Sequence, residues 1–426
     1  MQRNYNILIS PGAFKDVYSP IEACKMIANA IEIVFKDRKD INTHLIPMVD
    51  GGEYSNEVLS AKLKCEKIKV QAVINPLGIP VTSHYLLLDN DTVFVSSSQI
   101  LRLSPEFEKD KNPLNLTSYG LGQLINDAIN KRLKKIIIGL GGTNTVDAGI
   151  GMAQALGIKF LNKKGIRLYP KKGKYFTGLD LSRVDNVIWD SVPPFYKDIS
   201  ITALCDSKIN ISQMTVPTNM KISKYFDKDR RAINERLKFS LLKYSRFIGK
   251  NLEQQYPQQS DYYKSLEEQE GLGVAGGINL SLFVIFKPIL IEGSSFFLEK
   301  FGLEEKIIKS DLIITGEGKF DFSSIMGKVP IGVSLLAKKH NKPVLFLCGD
   351  IATSFRKYFV YHISKGLPAE VKNTGISTII SCHKFYENKK LPGSYRKEID
   401  LYKKNTPKIF VKALHTYFQN NRRFIL

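Results

Sequence analysis

Most of the side chains suited to chemistry in this 426-residue chain fall in four short loops. The richest runs Thr315-Gly316-Glu317-Gly318-Lys319-Phe320-Asp321-Phe322-Ser323-Ser324 and on to Gly327-Lys328. Glu317 and Asp321 suit a Mg²⁺ ion, Ser323 and Ser324 suit phosphate oxygens, and Lys319 and Lys328 offset negative charge. Phosphoryl transfer needs that inventory: carboxylates on the metal, cations on the phosphates and a base near the attacking hydroxyl. The competing reading is a charged loop that pairs its own ions. A second loop, Gly141-Gly142-Thr143-Asn144-Thr145-Val146-Asp147, combines glycines with hydroxyls, an amide and a carboxylate. Glycine lets backbone approach a ligand closely, and the unpaired N–H groups of a helix start favour anions. An ordinary tight turn with Asp147 as helix cap explains the same residues. No Gly-x-x-x-x-Gly-Lys-Ser/Thr occurs anywhere, which removes P-loop chemistry.

The third loop sets Asp50 and Glu53 around Gly51 and Gly52. Alone it reads as a solvated turn whose acids complement the dipole of the next helix. The fourth, Pro11-Gly12-Ala13-Phe14-Lys15-Asp16, contributes Lys15, which either reaches a phosphate or substrate carboxylate or extends into solvent.

Each loop follows a short apolar run and precedes a helical pattern. Tyr5–Ser10 reads as a strand, and Ser19-Pro20-Ile21-Glu22 opens a helix as a capping box with proline at its first position. Cys24, Ile27, Ala28, Ile31, Val34 and Phe35 then recur at helical spacing. The unit repeats at Thr43–Met48, at Lys134–Leu140 and at Ser310–Thr315, and Pro343–Cys348 supplies a fifth strand ending at Gly349-Asp350. Alternating strands and helices imply right-handed crossovers and a mainly parallel sheet, with ligands at the carboxyl ends of the strands. If the four strands share one sheet, the four loops converge on one crevice. Residues 66–114 and 158–206 have a different texture, which suggests a second α/β module. A long amphipathic helix follows, with Ile233, Leu237, Leu241, Tyr244 and Ile248 on one face, then a surface linker over 251–271. The chain after Lys384 is basic and weakly patterned.

Composition narrows the class. Hydrophobic residues make up 43% and charged residues 24%, as in soluble globular proteins. No run approaches the length of a membrane span, and the N-terminus lacks the apolar core of a signal peptide. Five scattered cysteines, with no Cys-x-x-Cys pair, argue against a disulfide framework or structural zinc and fit a reducing cytoplasm. The net charge of +21 is spread along the chain as a lysine-rich solvated surface without a nucleic-acid-binding signature. Nucleic acid is therefore the weakest reading, and a positive field attracting small anions is preferred.

In this order and combination the four loops resemble the bacterial glycerate kinase family. The resemblance rests on Phe14-Lys15, Asp50-Gly51-Gly52-Glu53, Gly141-Gly142-Thr143 through Asp147, and Gly316-Glu317-Gly318-Lys319-Phe320-Asp321 with Gly327-Lys328. Gly271–Leu280 and Cys205-Asp206 also match, so the likeness spans about Tyr5 to Ser381. It implies a flavodoxin-like doubly wound parallel sheet, over 1–65, 115–157 and 292–385, interrupted by a restriction-enzyme-like α/β domain over 66–114 and 158–291. Residues 386–426 are left as a basic C-terminal extension. The active site would lie in the cleft between the domains, with Mg-ATP and D-glycerate as substrates and 2-phosphoglycerate as the usual product.

On that resemblance Asp50 or Asp321 is the base on the substrate hydroxyl. Glu317 and the other aspartate hold Mg²⁺, and Asp147 either joins them or caps its helix. Lys15, Lys319 and Lys328 replace the P-loop lysine, while Gly51, Gly52, Gly141, Gly142, Thr143 and Asn144 cradle an anion with Ser323 and Ser324. The chain departs from the family pattern at Gly12 and Ala13, which replace an acid and a hydroxyl, at Tyr54-Ser55, at Lys319 in place of arginine, and over Ser207–Asp227. Those departures keep an alternative open: a kinase-like protein that binds nucleotide or a partner without turnover.

Overall fold

A computed structural model of the chain describes residues 4–14, 17–103, 112–188, 196, 198–205, 208–214, 227–255, 257–259, 261, 263, 265–360, 363–387 and 395–421. In chain order its strands begin with β1 (Tyr5–Ile9), β2 (Ile41–Leu45), β3 (Glu66–Ile74), β4 (Pro80–Leu87), β5 (Thr92–Ser96), β6 (Lys135–Gly139) and β7 (Lys159–Leu161). They continue with β8 (Asn186–Ile188), β9 (Ser200–Leu204), β10 (Ile289–Ile291), β11 (Leu312–Phe320), β12 (Val344–Ile351), β13 (Phe359–Val360), β14 (Ile363–Ser364) and β15 (Thr378–Ser381). The chain divides into two units, residues 1–50 with 294–426, and residues 51–293.

The first unit is built on a seven-stranded sheet ordered β13-β14-β15-β12-β11-β1-β2. Its five main strands, β15, β12, β11, β1 and β2, are mutually parallel. Counted within the unit they run 2-1-3-4-5, a doubly wound order whose switch point lies between the first and third strands, here β1 and β11. The central strands read as unbroken apolar runs because both faces are covered. On β12, Leu345 and Leu347 face one core with Ile7, Ile9 and Ile314, while Phe346 and Cys348 face another with Phe320, Ile331 and Phe355. That alternation is the period of two expected of a strand.

The helix Pro20–Val34 starts where the sequence places it. The Ser19 hydroxyl accepts from the Glu22 N–H at 3.3 Å, and the Glu22 carboxylate accepts from the Ser19 N–H at 2.8 Å. Its buried face, with Cys24, Ile27 and Ile31, packs against the C-terminal helix Tyr395–Asn420. The basic C-terminal stretch is thus part of the first unit's core and not a loose extension. Phe410, Leu414 and Phe418 are buried there, with the Phe35 and Phe418 rings 4.7 Å apart. Their apolar spacing is diluted by surface lysines, which hides the helix in a composition count.

The second unit holds a six-stranded sheet ordered β10-β9-β6-β5-β4-β3, parallel from β10 to β5 and antiparallel beyond, and a small β7–β8 pair. This corrects one expectation. β6, which leads into the Gly141 loop, pairs with β5 and β9 and not with β1 or β11, so the four strands do not share one sheet. Residues 51–65 and 115–157 accordingly fall in the second unit. A βα pattern identifies a strand and its helix, but the strand's neighbours are chosen by contacts distant in sequence. The long helix Asp227–Gln255 buries Leu237, Leu241, Tyr244 and Ile248 as expected, while the Ile233 side chain lies outside the described residues. The stretch after it is more than a surface linker, because Tyr263 and Leu266 are buried in the same core. No helix among the described residues is long and apolar enough to cross a membrane.

Truncating a fully buried phenylalanine costs about 3–5 kcal/mol in lost transfer energy and cavity formation. Phe410→Ala should therefore lower the thermal unfolding temperature of the first unit markedly; an unchanged melting curve would show that the C-terminal helix is dispensable.

Candidate active site

The first unit's chemistry gathers at the carboxyl ends of β1, β2 and β11. There the Gly12 N–H donates to Gly316 O at 2.9 Å, the Gly318 N–H to Ala13 O at 3.2 Å, and the Met48 N–H to Pro11 O at 3.0 Å. Gly316 is required by packing, since a β-carbon there would lie 1.9 Å from Leu347 O. β11 ends at Phe320, and the next residue, Asp321, caps the short helix Phe322–Ile325. Its Oδ1 accepts from the Ser323 hydroxyl at 2.5 Å and the Ser324 N–H at 3.2 Å. Ser324 in turn accepts from the Asp321 N–H at 2.9 Å and is completely buried. Ser324 is therefore a capping residue, which corrects its expected role on phosphate.

Lys328 sits between two carboxylates, 3.4 Å from Glu317 Oε2 and 3.8 Å from Asp321 Oδ1. The other Glu317 oxygen, Oε1, is buried with no hydrogen-bond partner. Burial pushes the Glu317 carboxyl above its ordinary value, against the pull of the Lys328 ammonium. For Asp321, partial burial also works upward but is outweighed by the Ser323 hydroxyl and by Lys328, so its carboxyl sits below the usual value. Among the described residues no group of three or more His, Cys, Asp or Glu is arranged as a metal cage. Mg²⁺ seldom needs one, because it keeps several waters and takes one or two carboxylates plus substrate phosphates. A buried carboxylate oxygen with no partner, beside a second carboxylate, fits that demand.

Lys319 points to a partner that sequence reasoning missed. Its ammonium lies 3.9 Å from Asp350, which also stands 3.6 Å from the Arg356 guanidinium. Asp350 lies one residue before the end of β12 and opposite Lys319 in the parallel register of β11 and β12, a pairing that only the sheet order reveals. Asp50 is the last residue of this unit's first segment, and Lys15 lies outside the described residues.

The second unit brings the two glycine loops together for a different reason. A β-carbon on Gly139 would lie 1.9 Å from Gly51 O, one on Gly141 would lie 3.1 Å from the Gly52 α-carbon, and Gly51 and Gly142 have φ of 93° and 64°. These glycines permit backbone to seat on backbone. The Gly141 N–H donates to the Ser97 hydroxyl at 3.2 Å, and Asn144 Oδ1 accepts from the Leu103 N–H at 2.7 Å. Both groups are committed to the scaffold, which corrects their expected place in an anion cradle. Gly142 is exposed and Thr143 half-buried, so these two remain accessible. Glu53, beside the glycines, pairs with Arg102.

Asp147 is spent on the scaffold, although the N-cap of the following helix, Ile150–Ala155, is Gly149. It is fully buried and accepts from the Ser118 N–H and hydroxyl, both at 2.8 Å, from Gly149 N–H at 3.1 Å and from Gly151 N–H at 3.3 Å. Burial raises its pKa against these donors. A carboxylate enclosed by four donors and closed to solvent holds turns together and offers no oxygen to a metal.

The first unit is thus an α/β protein whose acids and lysines stand at the switch point of a doubly wound sheet, the usual place for phosphate-bearing ligands. The glycerate kinase family matches residues 7–382 of the chain. A glycerate kinase from Halalkalibacterium halodurans is 30% identical over 360 residues, covering 84% of this chain and 88% of its own. The glycerate 2-kinase of Escherichia coli K12 is 31% identical over 351 residues, 81% of this chain and 85% of its own. In fold, a crystal structure from Salmonella typhimurium LT2, provisionally designated glycerate kinase 2, superposes with a TM-score of 0.68 at 24% identity, covering 99% of this chain and all of that one. The chain belongs to the glycerate kinase family.

Two substitutions test the second unit's assignments. Asp147→Ala strands buried donors and should cost about 3 kcal/mol of stability while leaving the Mg²⁺ requirement of the folded protein unchanged; a changed requirement with an intact melting curve would return Asp147 to the metal shell. Gly139→Ala should destabilise more than Gly302→Ala, which carries the strain of a φ of 59° but whose β-carbon would meet nothing within 4 Å, and equal melting temperatures would contradict the close backbone contact.

Proposed function

We propose that this protein transfers the γ-phosphoryl group of ATP to a hydroxyl of glycerate, giving ADP and phosphoglycerate. Family membership supports the reaction, and the buried, partnerless Oε1 of Glu317 beside Asp321 is the observation that carries the site. In this reading the first unit is the flavodoxin-like domain and the second the domain inserted into it. Glu317 and Asp321 would hold Mg²⁺. When bound, the metal neutralises charge on the phosphate oxygens.

The chain's own residues supply the rest. Lys328, already between the two carboxylates, would place its charge on the phosphates. Lys319, held by Asp350, adds a second cation, and Lys15 a third. The substrate hydroxyl oxygen attacks the γ-phosphorus as the bond to the bridging oxygen breaks, and its proton passes to a carboxylate. We assign that proton to Asp50. Asp321 is the poorer base, because Ser323 and Lys328 stabilise its ionised form. Gly142 and Thr143 remain candidates for contact with substrate oxygens. None of the five cysteines forms a disulfide, which suits a reducing cytoplasm. No observation favours the alternative of binding without turnover.

ADP release with Mg-ATP and D-glycerate, L-glycerate or no acid tests the reaction directly. D-glycerate-dependent turnover should fall by at least about a hundredfold in Asp321→Asn, and absence of turnover with any hydroxy acid would overturn the assignment. A second expectation concerns pH. A raised carboxyl pKa means that Glu317 takes up its proton sooner as pH falls, so protons compete with the metal. The Mg²⁺ concentration for half-maximal activity should therefore rise as pH is lowered through the Glu317 titration; a requirement flat across the acid limb would remove Glu317 from the metal.

A further inference from the structure

Phe322 and Met326 are exposed in a place where apolar side chains have no structural task. They are 60% and 81% accessible; Phe322 opens the short helix that Asp321 caps, and Met326 follows its last residue. Phe322 is the first residue of that helix, so its position is tied to the candidate metal carboxylate by a single peptide bond. Its ring is not loose. It rests on Phe355 at a centroid distance of 4.8 Å, Phe355 rests on Phe320 at 5.2 Å, and Phe320 rests on Phe346 at 5.1 Å. Phe355, Phe320 and Phe346 are buried in the first unit's second core, so a ladder of four rings runs from the sheet to the surface and ends in an open aromatic face.

A fixed, solvent-facing aromatic ring beside a phosphate-handling loop has a chemical match. Nucleobases stack on such rings, and the contact tolerates different bases because each presents a π-face. Glycerate has no ring and no use for the platform. We propose that Phe322, with Met326 at its side, is the platform on which the purine ring of the nucleotide stacks, while Lys328 meets its phosphates beside Glu317 and Asp321, the carboxylates that would hold the metal. The inference rests on the reading of this loop as the nucleotide's phosphate site. It adds what the acids and lysines do not provide, namely discrimination between a nucleoside triphosphate and bare triphosphate.

Equilibrium binding of ADP and of inorganic tripolyphosphate, with turnover measured alongside, separates the two ideas. In Phe322→Ala the ADP affinity should fall roughly tenfold, the value expected for one lost base–aromatic stack. Tripolyphosphate affinity, the KM for D-glycerate and kcat at saturating ATP should stay as in the unmodified protein. Phe322→Trp should restore ADP binding, and Met326→Ala, at a site too exposed to affect folding, should weaken it by a smaller factor. Unchanged ADP affinity in Phe322→Ala, with the unmodified protein turning over ATP, would overturn the platform and leave the kinase reading intact. Equal losses for ADP and tripolyphosphate would also overturn it, because they would place the defect at the phosphates. A tenfold loss confined to ADP in a protein that phosphorylates no acid would uphold the platform and overturn the reaction.

Discussion

The first unit depends on the pairing of β1 with β11, in which Ile7 lies opposite Leu312 and Ile9 opposite Ile314. These partners are separated by more than two thirds of the chain, and the entire second unit is inserted between them in sequence. Closing that contact costs loop entropy, which is regained by burying apolar strands on both faces. The same pairing puts the backbone of Gly12 against Gly316, and so brings the loop after β1 to the end of β11, where Glu317 and Asp321 stand. The site at the switch point is thus a by-product of the strand order that makes the sheet.

In the second unit, glycine and acid do structural work that resembles ligand binding in sequence. Gly51 and Gly139 are small so that one chain can lie on another, and Asp147 satisfies four donors that would otherwise be buried alone. The Gly271–Leu280 run follows the same logic. Gly276 and Gly277 adopt positive φ, and a β-carbon on Gly276 would lie 1.8 Å from Thr145 O. A buried carboxylate with a full set of donors and one with an orphaned oxygen are both acids next to glycines in sequence. Asp147 belongs to the first kind and Glu317 to the second, and that difference separates scaffold from site.

In the first unit's candidate site the charges are paired among the protein's own groups. Lys328 compensates two carboxylates that would repel each other, and Asp350 restrains Lys319 from the neighbouring strand with Arg356 behind it. These pairs are partly exposed, so each contributes little to stability.

Local sequence determined the elements and their chemistry. The capping box at Ser19, the helical spacing from Cys24 to Ile31, the apolar strands, the acid and lysine inventory of the Glu317 loop and the family likeness all follow from neighbouring residues. Helix periodicity and capping act over a few positions and need no knowledge of the rest. Tertiary structure alone decided that β6 joins β5 and β9, that the C-terminal helix covers the first core, and that Ser324, Gly141, Asn144 and Asp147 are spent on the scaffold. The physical reason is the range of the interactions. Strand partners and hydrogen-bond satisfaction depend on groups brought together from remote positions, and no local pattern records which donors have already been used.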